Sequence, residues 1–218
     1  MLTLALTGGI ATGKSTFARL FLELAPGTAF FDCDACVQQL LTKPDIIAAL
    51  AVALGADLIS PDGSLDRSRL RKLVFDHPDR RKTLEGILHP LVRQECQAAQ
   101  QSARTGGTAP FFLADVPLLY ESGFPLPRDI EIVVACGPVT QRARLVERSK
   151  FSMELADKIL AAQLPLAEKM RRARIVLWNG GPPASLRRQT ELFLVWLRAT
   201  GGRPQDHPGD GTRGSARG

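Results

Sequence analysis

Aromatic side chains that stack on nucleic-acid bases are scarce in this chain of 218 residues, which has one tyrosine and two tryptophans. Proteins that bind single strands without sequence preference depend on such stacking surfaces. The shortage argues against a nucleic-acid partner, although the net charge is +6 and 21 of the 28 basic residues are arginine. An arginine-rich balance also suits phosphorylated small molecules, because guanidinium binds phosphate through two parallel hydrogen bonds.

Cysteine and histidine are too few and too scattered for a metal-binding framework. Cys33 and Cys36 form a C-x-x-C pair, but the other two cysteines and the three histidines stand apart along the chain. A structural zinc site needs a second half of comparable spacing. We therefore predict four reduced thiols without a redox or zinc-binding role.

Membrane and export signals are also missing from the sequence. No apolar run approaches the roughly 20 residues of a membrane span. The first residues read as a strand, without the basic segment and cleavage site of a signal peptide. These absences predict a cytoplasmic protein with no membrane partner. The Asn-Lys-x-Asp motif that reads guanine does not occur either, which argues against a GTPase.

The sequence does have the alternating strands and helices of an α/β fold. Five short apolar runs are typical of buried parallel strands, at residues 2–7, 28–31, 111–114, 130–136 and 175–178. Helical spacing of apolar residues occurs over 14–24 and 184–199. The pattern predicts an α/β fold of three layers, with a parallel sheet of about five strands.

The segment 35–107 differs from the rest, because it shows helical patterns and no clear strand. The helices predicted there cover residues 35–41, 44–54, 67–75, 78–87 and 90–103. Roughly 70 residues are too many for one crossover connection, so we predict a helical insert on a nucleotide-binding core of residues 1–34 and 108–200. An arginine-rich helical part at about 140–165 predicts a lid. The glycine- and proline-rich tail 201–218 is expected to be disordered.

The strongest motif follows the first predicted strand. Residues 8–15, Gly-Gly-Ile-Ala-Thr-Gly-Lys-Ser, match the phosphate-binding loop G-x-x-x-x-G-K-[ST] in full. Backbone N–H groups of such a loop face the phosphates, and the next helix directs its positive end at the same anion. Lys14 is expected to reach the β- and γ-phosphates, and Ser15 to hold Mg²⁺. The alternative, an ordinary glycine-rich turn, is disfavoured because the required strand and helix flank the motif.

Carboxylates follow two of the predicted strands, where open α/β sheets bind their ligands. Asp32 and Asp34 end the second strand, and Asp115 ends the third. A kinase needs one carboxylate to orient the acceptor hydroxyl and take its proton, so one of the pair is expected in that role. Asp115 is expected as the outer partner of Mg²⁺. The alternatives are a helix cap for Asp34 and a simple loop position for Asp115.

Two arginines, Arg144 and Arg148, lie four positions apart on a predicted helix and share one face. There they could close over a nucleotide and neutralise charge on the phosphoryl group in transfer. The second cluster, at residues 171–174, is expected to be a solvated face. His89 precedes a proline at a predicted helix start, where capping or packing is the usual role and a substrate contact the minority interpretation.

Longer stretches of the chain match a known family over residues 3–182. They are LTGGIATGKST (6–16), DCD (32–34), LGADLISPDGSLDRSRLRKLVF (54–75), LHPLV (88–92), DVPLLYE (115–121) and the block from ILAAQ (159–163) to NGG (179–181). In these stretches the chain resembles the dephospho-coenzyme A kinase family. The matches at 55–75 and 88–92 are much more specific than the phosphate loop, which many families share.

The resemblance implies transfer of the ATP γ-phosphate to the ribose 3′-hydroxyl of dephospho-coenzyme A, with Mg²⁺ as cofactor and the insert as the coenzyme A-binding part. By position, it implies ATP contacts from Arg148 and from the loop residues Ala11, Thr12, Gly13, Lys14, Ser15 and Thr16. Ala11 stands where the family pattern has glycine, and alanine fits there without strain if its φ is negative.

The same resemblance assigns roles around the reacting groups. Asp34 is the candidate base, Asp32 assists Mg²⁺ or substrate, and Arg144 is the lid arginine at the phosphoryl group. The alternative function is that of another small-molecule P-loop kinase, for nucleoside monophosphates or shikimate-like alcohols. For the oligomeric state, a monomer is favoured.

Overall fold

The computed structural model describes residues 1–149 and 152–203, without the side chains of residues 148 and 149. Within these residues there are five strands: β1 (Leu2–Gly8), β2 (Ala29–Asp32), β3 (Phe111–Asp115), β4 (Ile130–Ala135) and β5 (Ile175–Trp178). The α-helices are α1 (Lys14–Leu24), α2 (Cys33–Leu40), α3 (Pro44–Leu54), α4 (Arg67–Asp76), α5 (Pro78–Thr105), α6 (Pro138–Ser149), α7 (Met153–Ala161), α8 (Leu166–Arg172) and α9 (Pro183–Thr200). A single 3₁₀ turn, Ala56–Leu58, follows α3.

The strands form one parallel sheet in the order β2-β3-β1-β4-β5. β1 lies in the centre, and its neighbours β3 and β4 are buried along almost their whole length. Burial on both faces explains why these strands are continuous apolar runs rather than alternating ones. The sheet confirms the predicted α/β fold with five parallel strands.

Alternate residues of the sheet enter two separate cores, which makes the three layers. On one face, Leu4 and Leu6 of β1 pack with the rings of Phe17 and Phe21 from α1 and with residues of α9. On the other face, Ala5 packs with residues of α2, α3 and α5. Because side chains alternate along a strand, one strand serves both cores. The helices between β2 and β3 therefore cover one face of the sheet, while the division into core, insert and lid stays a prediction.

The helices predicted at 78–87 and 90–103 are in fact one helix of 28 residues, α5, with Pro90 in its interior. Pro90 lacks an N–H, so the helical hydrogen bond to the carbonyl of Gly86 is lost. The neighbouring side chains of Leu88 and Val92 are buried in the core, and α5 packs on α2, α3 and α4. This packing outweighs the missing bond. The prediction of a helix break at His89 was wrong.

Several smaller expectations can be compared with the structure. All four cysteines are buried free thiols. Arg171 and Arg172 pair with Glu168 on the surface, as expected of a solvated face. In the described part of the chain no single helix is long and apolar enough to cross a membrane; α2 and α3 pass that test only together, across a bend of 84°. Of the predicted tail, residues 204–218 lie outside the described residues.

Candidate functional site

A cavity of about 590 Å³ opens at the carboxyl ends of β1, β2 and β3, and the phosphate loop between β1 and α1 lines it. Nine of the predicted site residues lie in its wall: Ala11, Gly13, Lys14, Ser15, Thr16, Asp32, Asp34, Asp115 and Arg144. We call the surface that faces this cavity the cavity side of the loop, and the opposite surface its rear side. The fold thus brings most of the predicted site together.

Three predicted residues are placed differently. Thr12 is fully buried, and its hydroxyl donates a hydrogen bond to the carbonyl of Gly9, so its side chain serves the loop itself. His89 lies inside α5, half-buried, and is not part of the cavity wall formed by the described residues. Arg148 falls within α6, but its side chain lies outside the described residues.

The two carboxylates after β2 have different tasks. Asp32 is the N-cap of α2, and its Oδ1 accepts a hydrogen bond from the Ala35 N–H at 3.0 Å. The alternative prediction that Asp34 caps this helix was wrong, because α2 begins at Cys33 and Asp34 lies in its first turn. Asp34 is exposed to the cavity, yet the surrounding walls partly desolvate its carboxylate. This desolvation, with the negative charge of Asp32, raises the pKa of Asp34, against the opposing effect of Lys14.

Asp115 ends β3 and is the Cα partner of Asp32 across the parallel pair β2–β3. Its side chain is buried, and the Oδ1 atom has no hydrogen-bond partner among the residues that the structure describes. Burial raises the pKa of Asp115 to about 6, although Lys14 opposes the rise. An orphaned carboxylate oxygen in a cavity also lined by Ser15 matches the oxygen ligands that Mg²⁺ takes. The residues present therefore fit the predicted metal position.

Arg144 projects from α6 into the same cavity, on the side opposite the carboxylates' strands. Its Nη1 atom is buried and has no hydrogen-bond partner among the described residues. A guanidinium nitrogen is rarely left in this condition, because an unpaired buried donor costs about 1–3 kcal/mol. An anion in the cavity would satisfy it.

Ala11 has a φ of 59°, in the left-handed region. Among the described residues with a side chain it is the only one with positive φ. Left-handed backbone costs alanine about 1 kcal/mol relative to glycine. The condition of a negative φ is therefore not met, and the loop holds Ala11 in a strained conformation.

Three side-chain amides hold the loop: Gln141 and Gln163 from its rear side, and Asn179 from the wall of the cavity. The Ile10 N–H donates to Gln163 Oε1 at 3.0 Å, and the Ile10 carbonyl accepts from Gln141 Nε2 at 2.7 Å. Asn179 donates from Nδ2 to the carbonyl of Thr12 at 2.8 Å. Sequence reasoning did not assign these three residues to the site. No spacing signals them, although Gln163 and Asn179 both lie in stretches that carried the family resemblance.

Two loop glycines are needed because these amides approach so closely. A Cβ at Gly9 would lie 2.5 Å from Gln141 Nε2, and a Cβ at Gly13 would lie 2.1 Å from Asn179 Nδ2. Real Cβ atoms do not make such contacts. The glycines of this motif therefore make room for these two amides as well as for phosphate.

A buried lysine completes the rear side. Lys169 of α8 is fully buried, and its Nζ lies 2.7 Å from Glu121 Oε1. The same ammonium donates to the carbonyls of Gly8 at 3.3 Å and Pro117 at 3.4 Å. A buried charge needs such full pairing to be tolerated. Lys169 thus ties the end of β1 to the segment after β3.

Comparisons with known proteins agree with this geometry. The family model described as dephospho-CoA kinase matches residues 2–184. A dephospho-CoA kinase of Symbiobacterium thermophilum is 42% identical over 203 residues, covering 93% of this chain and 83% of that protein. One from Anaeromyxobacter dehalogenans is 40% identical over 205 residues, covering 93% and 95%. The crystal structure of TT1252 from Thermus thermophilus is 31% identical with a TM-score of 0.74, covering 90% of this chain and 97% of that one. This chain belongs to the dephospho-CoA kinase family.

Proposed function

We propose that this protein transfers the γ-phosphate of ATP to the ribose 3′-hydroxyl of dephospho-coenzyme A, which gives coenzyme A and ADP. The family is named for this reaction. The observation that carries the proposal is the convergence on one cavity of a phosphate loop, two strand-end carboxylates and a buried, unpaired arginine nitrogen. Such a constellation positions and neutralises a phosphoryl group, which is most of what phosphoryl-transfer catalysis requires.

ATP is proposed to lie with its phosphates on the cavity side of the loop. Backbone N–H groups and the N-terminal end of α1 supply the first positive field, and Lys14 supplies a full charge at the β- and γ-phosphates. Ser15 and Asp115 would hold Mg²⁺, with the phosphate oxygens as further ligands. When bound, the metal ion neutralises charge on the phosphates. The ATP contacts of Ala11, Thr12, Gly13 and Thr16 are proposed to be made mainly through the backbone.

Asp34 is the proposed base for the acceptor hydroxyl. It faces the cavity and makes no hydrogen bond within the described residues, whereas Asp32 is occupied as a helix cap. Its pKa is raised by desolvation and by the charge of Asp32, which makes its carboxylate a stronger base than an ordinary aspartate. Asp32 is proposed to assist the metal ion or substrate with its free oxygen.

Arg144 is proposed to stabilise charge on the phosphoryl group as it moves from ATP to the acceptor. Its unpaired nitrogen lies in the cavity before any anion is bound, so no rearrangement of a competing ion pair is needed. Arg148 is proposed as a further ATP contact on the same helix.

The acceptor is proposed to approach across the helices between β2 and β3, where the matches most specific to the family lie. His89 is a proposed contact for a part of the substrate remote from the phosphoryl group, since it is not in the cavity wall. We further infer a cytoplasmic monomer.

The test is ATP consumption with purified protein over a panel of acceptors. We expect turnover with dephospho-coenzyme A and a product phosphorylated at the 3′ position, identified by mass spectrometry and phosphorus NMR. Coenzyme A itself, whose 3′-hydroxyl is already phosphorylated, is the matched control and should be inert. Turnover with AMP or shikimate but none with dephospho-coenzyme A would refute the proposed acceptor.

A further inference from the structure

The carbonyl groups of the phosphate loop are nearly all engaged by the protein itself. Those of Gly8, Gly9, Ile10 and Thr12 accept hydrogen bonds from Lys169, Thr12, Gln141 and Asn179. Gln141 and Lys169 lie on the rear side, whereas Asn179 lines the cavity, and all three come from beyond residue 140. A carbonyl oxygen that points at the cavity would repel phosphate. A carbonyl that a protein donor holds away from the cavity therefore favours anion binding.

The orientation of each carbonyl also fixes the direction of the N–H group of the next residue. In a trans peptide unit the C=O and the following N–H point in opposite directions. When Gln141 holds the Ile10 carbonyl at the rear side, the N–H of Ala11 is directed to the cavity side. The bond from Asn179, which itself lines the cavity, fixes the Thr12 carbonyl and with it the direction of the Gly13 N–H. Ala11 and Gly13 both line the cavity.

Ile10 is held at both of its polar groups. Gln141 donates to its carbonyl, and Gln163 accepts from its N–H. The Ile10 carbonyl needs a donor and the Ile10 N–H needs an acceptor. Gln141 therefore presents its NH₂ group to Ile10, and Gln163 presents its oxygen. This double contact immediately precedes Ala11, the residue kept at positive φ. Strained backbone persists only where its surroundings over-determine it, and this contact is such a determinant.

We infer that Gln141 and Gln163 are positioning residues for the ATP phosphates: together they hold Ile10 so that the Ala11 N–H faces the cavity. Neither side chain lines the cavity, so each acts through the loop backbone. Gln141 also lies three residues before Arg144 on α6, so one helix sets both the loop and the arginine that faces it. The inference rests on the proposed binding of ATP but not on the identity of the acceptor.

The test uses the same substitution, glutamine to glutamate, at both positions. Gln163→Glu keeps an oxygen to accept from the Ile10 N–H, whereas Gln141→Glu replaces the donor to the Ile10 carbonyl with a second acceptor. Both variants add one negative charge beside the same residue. We expect Gln141→Glu to weaken MgATP binding about tenfold more than Gln163→Glu, the factor that corresponds to one lost hydrogen bond and a reversed contact.

Gln100→Glu is the matched control. Gln100 is buried like Gln141 and also donates to a carbonyl, that of Pro127, but at the opposite end of β1 from the loop. It should lower the melting temperature without changing MgATP affinity. If Gln141→Glu does not fold, Gln141→Met removes the donor without adding charge and carries the same expectation of weaker binding.

Binding is measured by calorimetry with MgATP and no acceptor, on full-length folded protein, and KM for ATP is compared with kcat in a separate assay. We expect KM for ATP to rise in Gln141→Glu while KM for the acceptor is unchanged. Equal weakening by the two glutamates, or unchanged affinity in folded Gln141→Glu, would overturn the inference. A wild-type protein that binds MgATP but ignores dephospho-coenzyme A would refute the proposed acceptor alone.

Discussion

The cavity in front of the phosphate loop contains buried polar atoms that lack hydrogen-bond partners, whereas the rear side of the loop pairs its polar atoms almost completely. Arg144 Nη1 and Asp115 Oδ1 are buried and unpaired among the described residues. Behind the loop, the amides of Gln141 and Gln163 each make a hydrogen bond of 3.0 Å or less to its backbone. Both sides are rich in polar groups, so composition does not distinguish them.

This difference in pairing indicates that the cavity contributes mainly to activity and the rear side of the loop mainly to stability. Each unpaired buried polar atom costs about 1–3 kcal/mol, which a bound ligand can recover. The unpaired atoms of the cavity therefore destabilise the ligand-free protein, and they contribute to affinity when a ligand pairs with them. The paired rear side fixes the backbone in the conformation that the ligand needs. Substitutions on the two sides should consequently separate activity from stability.

The largest effect is expected on the cavity side, from Asp34→Asn. The amide cannot take the proton of the acceptor hydroxyl, so kcat should fall about 10³-fold while MgATP still binds. The measurement is steady-state turnover beside calorimetric ATP affinity. The exposed Glu23 of α1, which pairs with Arg187, provides the control Glu23→Gln, for which turnover should be unchanged.

Asp32→Asn sharpens the same comparison, because asparagine keeps the oxygen that caps α2. Its turnover should lie well above that of Asp34→Asn. Near-normal turnover in Asp34→Asn would remove this residue from the role of base.

On the rear side, Lys169→Met should destabilise the fold most. It leaves Glu121 without its buried partner, and breaking such a pair costs about 3–5 kcal/mol. Arg171→Met, on the same helix, removes an exposed pair with Glu168 and should cost less than about 1 kcal/mol. The measurement is the free energy of unfolding in urea. Similar losses in both variants would show that Lys169 contributes no more than a surface charge.

Asp115→Asn should raise the stability of the ligand-free protein while it lowers turnover. The folded pKa of about 6 exceeds the ordinary aspartate value of 3.8, so the folded state binds more protons between these values. Stability from this group is therefore fully present below pH 4 and is lost as pH rises through 6. Removing the charge should recover about 2–3 kcal/mol at pH 7 and flatten the pH dependence between 4 and 6.

Urea unfolding of Asp115→Asn across pH 4 to 8 without nucleotide checks this expectation. Asp62, whose hydrogen bonds from Ser64 lower its pKa, is the control, and Asp62→Asn should not stabilise at pH 7. A pH profile identical to that of the wild type would show that the Asp115 carboxylate is not destabilising.

The smallest effect concerns the contact between the loop and α6. Gly9→Ala places a Cβ 2.5 Å from Gln141 Nε2 and should cost about 1–3 kcal/mol. In a Gln141→Ala background the cost should shrink by at least about 1 kcal/mol, as a double-mutant cycle measures. Gly86→Ala, where no atom lies within 4 Å, is the control and should be neutral or stabilising. A coupling of zero would mean that the amide moves aside freely.

The cavity side was largely predictable from the sequence because its signals are local. The loop motif occupies eight consecutive residues, and each acid directly follows an apolar run that became a strand. The rear side was not predictable, since Gln141 and Gln163 meet Ile10 across 131 and 153 positions. A glutamine has no distinguishing pattern around it, and only the folded sheet and helices bring it to the loop.

Two local predictions failed for a related reason. Pro90 indicated a helix break, but burial of its neighbours on the core keeps α5 continuous. Asp34 was the alternative cap for the helix after β2, yet α2 begins at Cys33 and Asp32 caps it. In each case the bounds of a helix differ from those that the local residue pattern indicates.

The distance along the chain between the loop and its hydrogen-bond partners has a consequence for how the protein is made. The motif at residues 8–15 is synthesised well before Asn179, which is bonded to it across 167 positions. A nascent chain therefore contains the whole motif long before it contains the groups that orient it. Closing such a long loop is slow in folding. ATP that needs the oriented loop would therefore bind the folded protein and not the nascent chain. It would stabilise the protein late in folding and would not direct the folding of the loop.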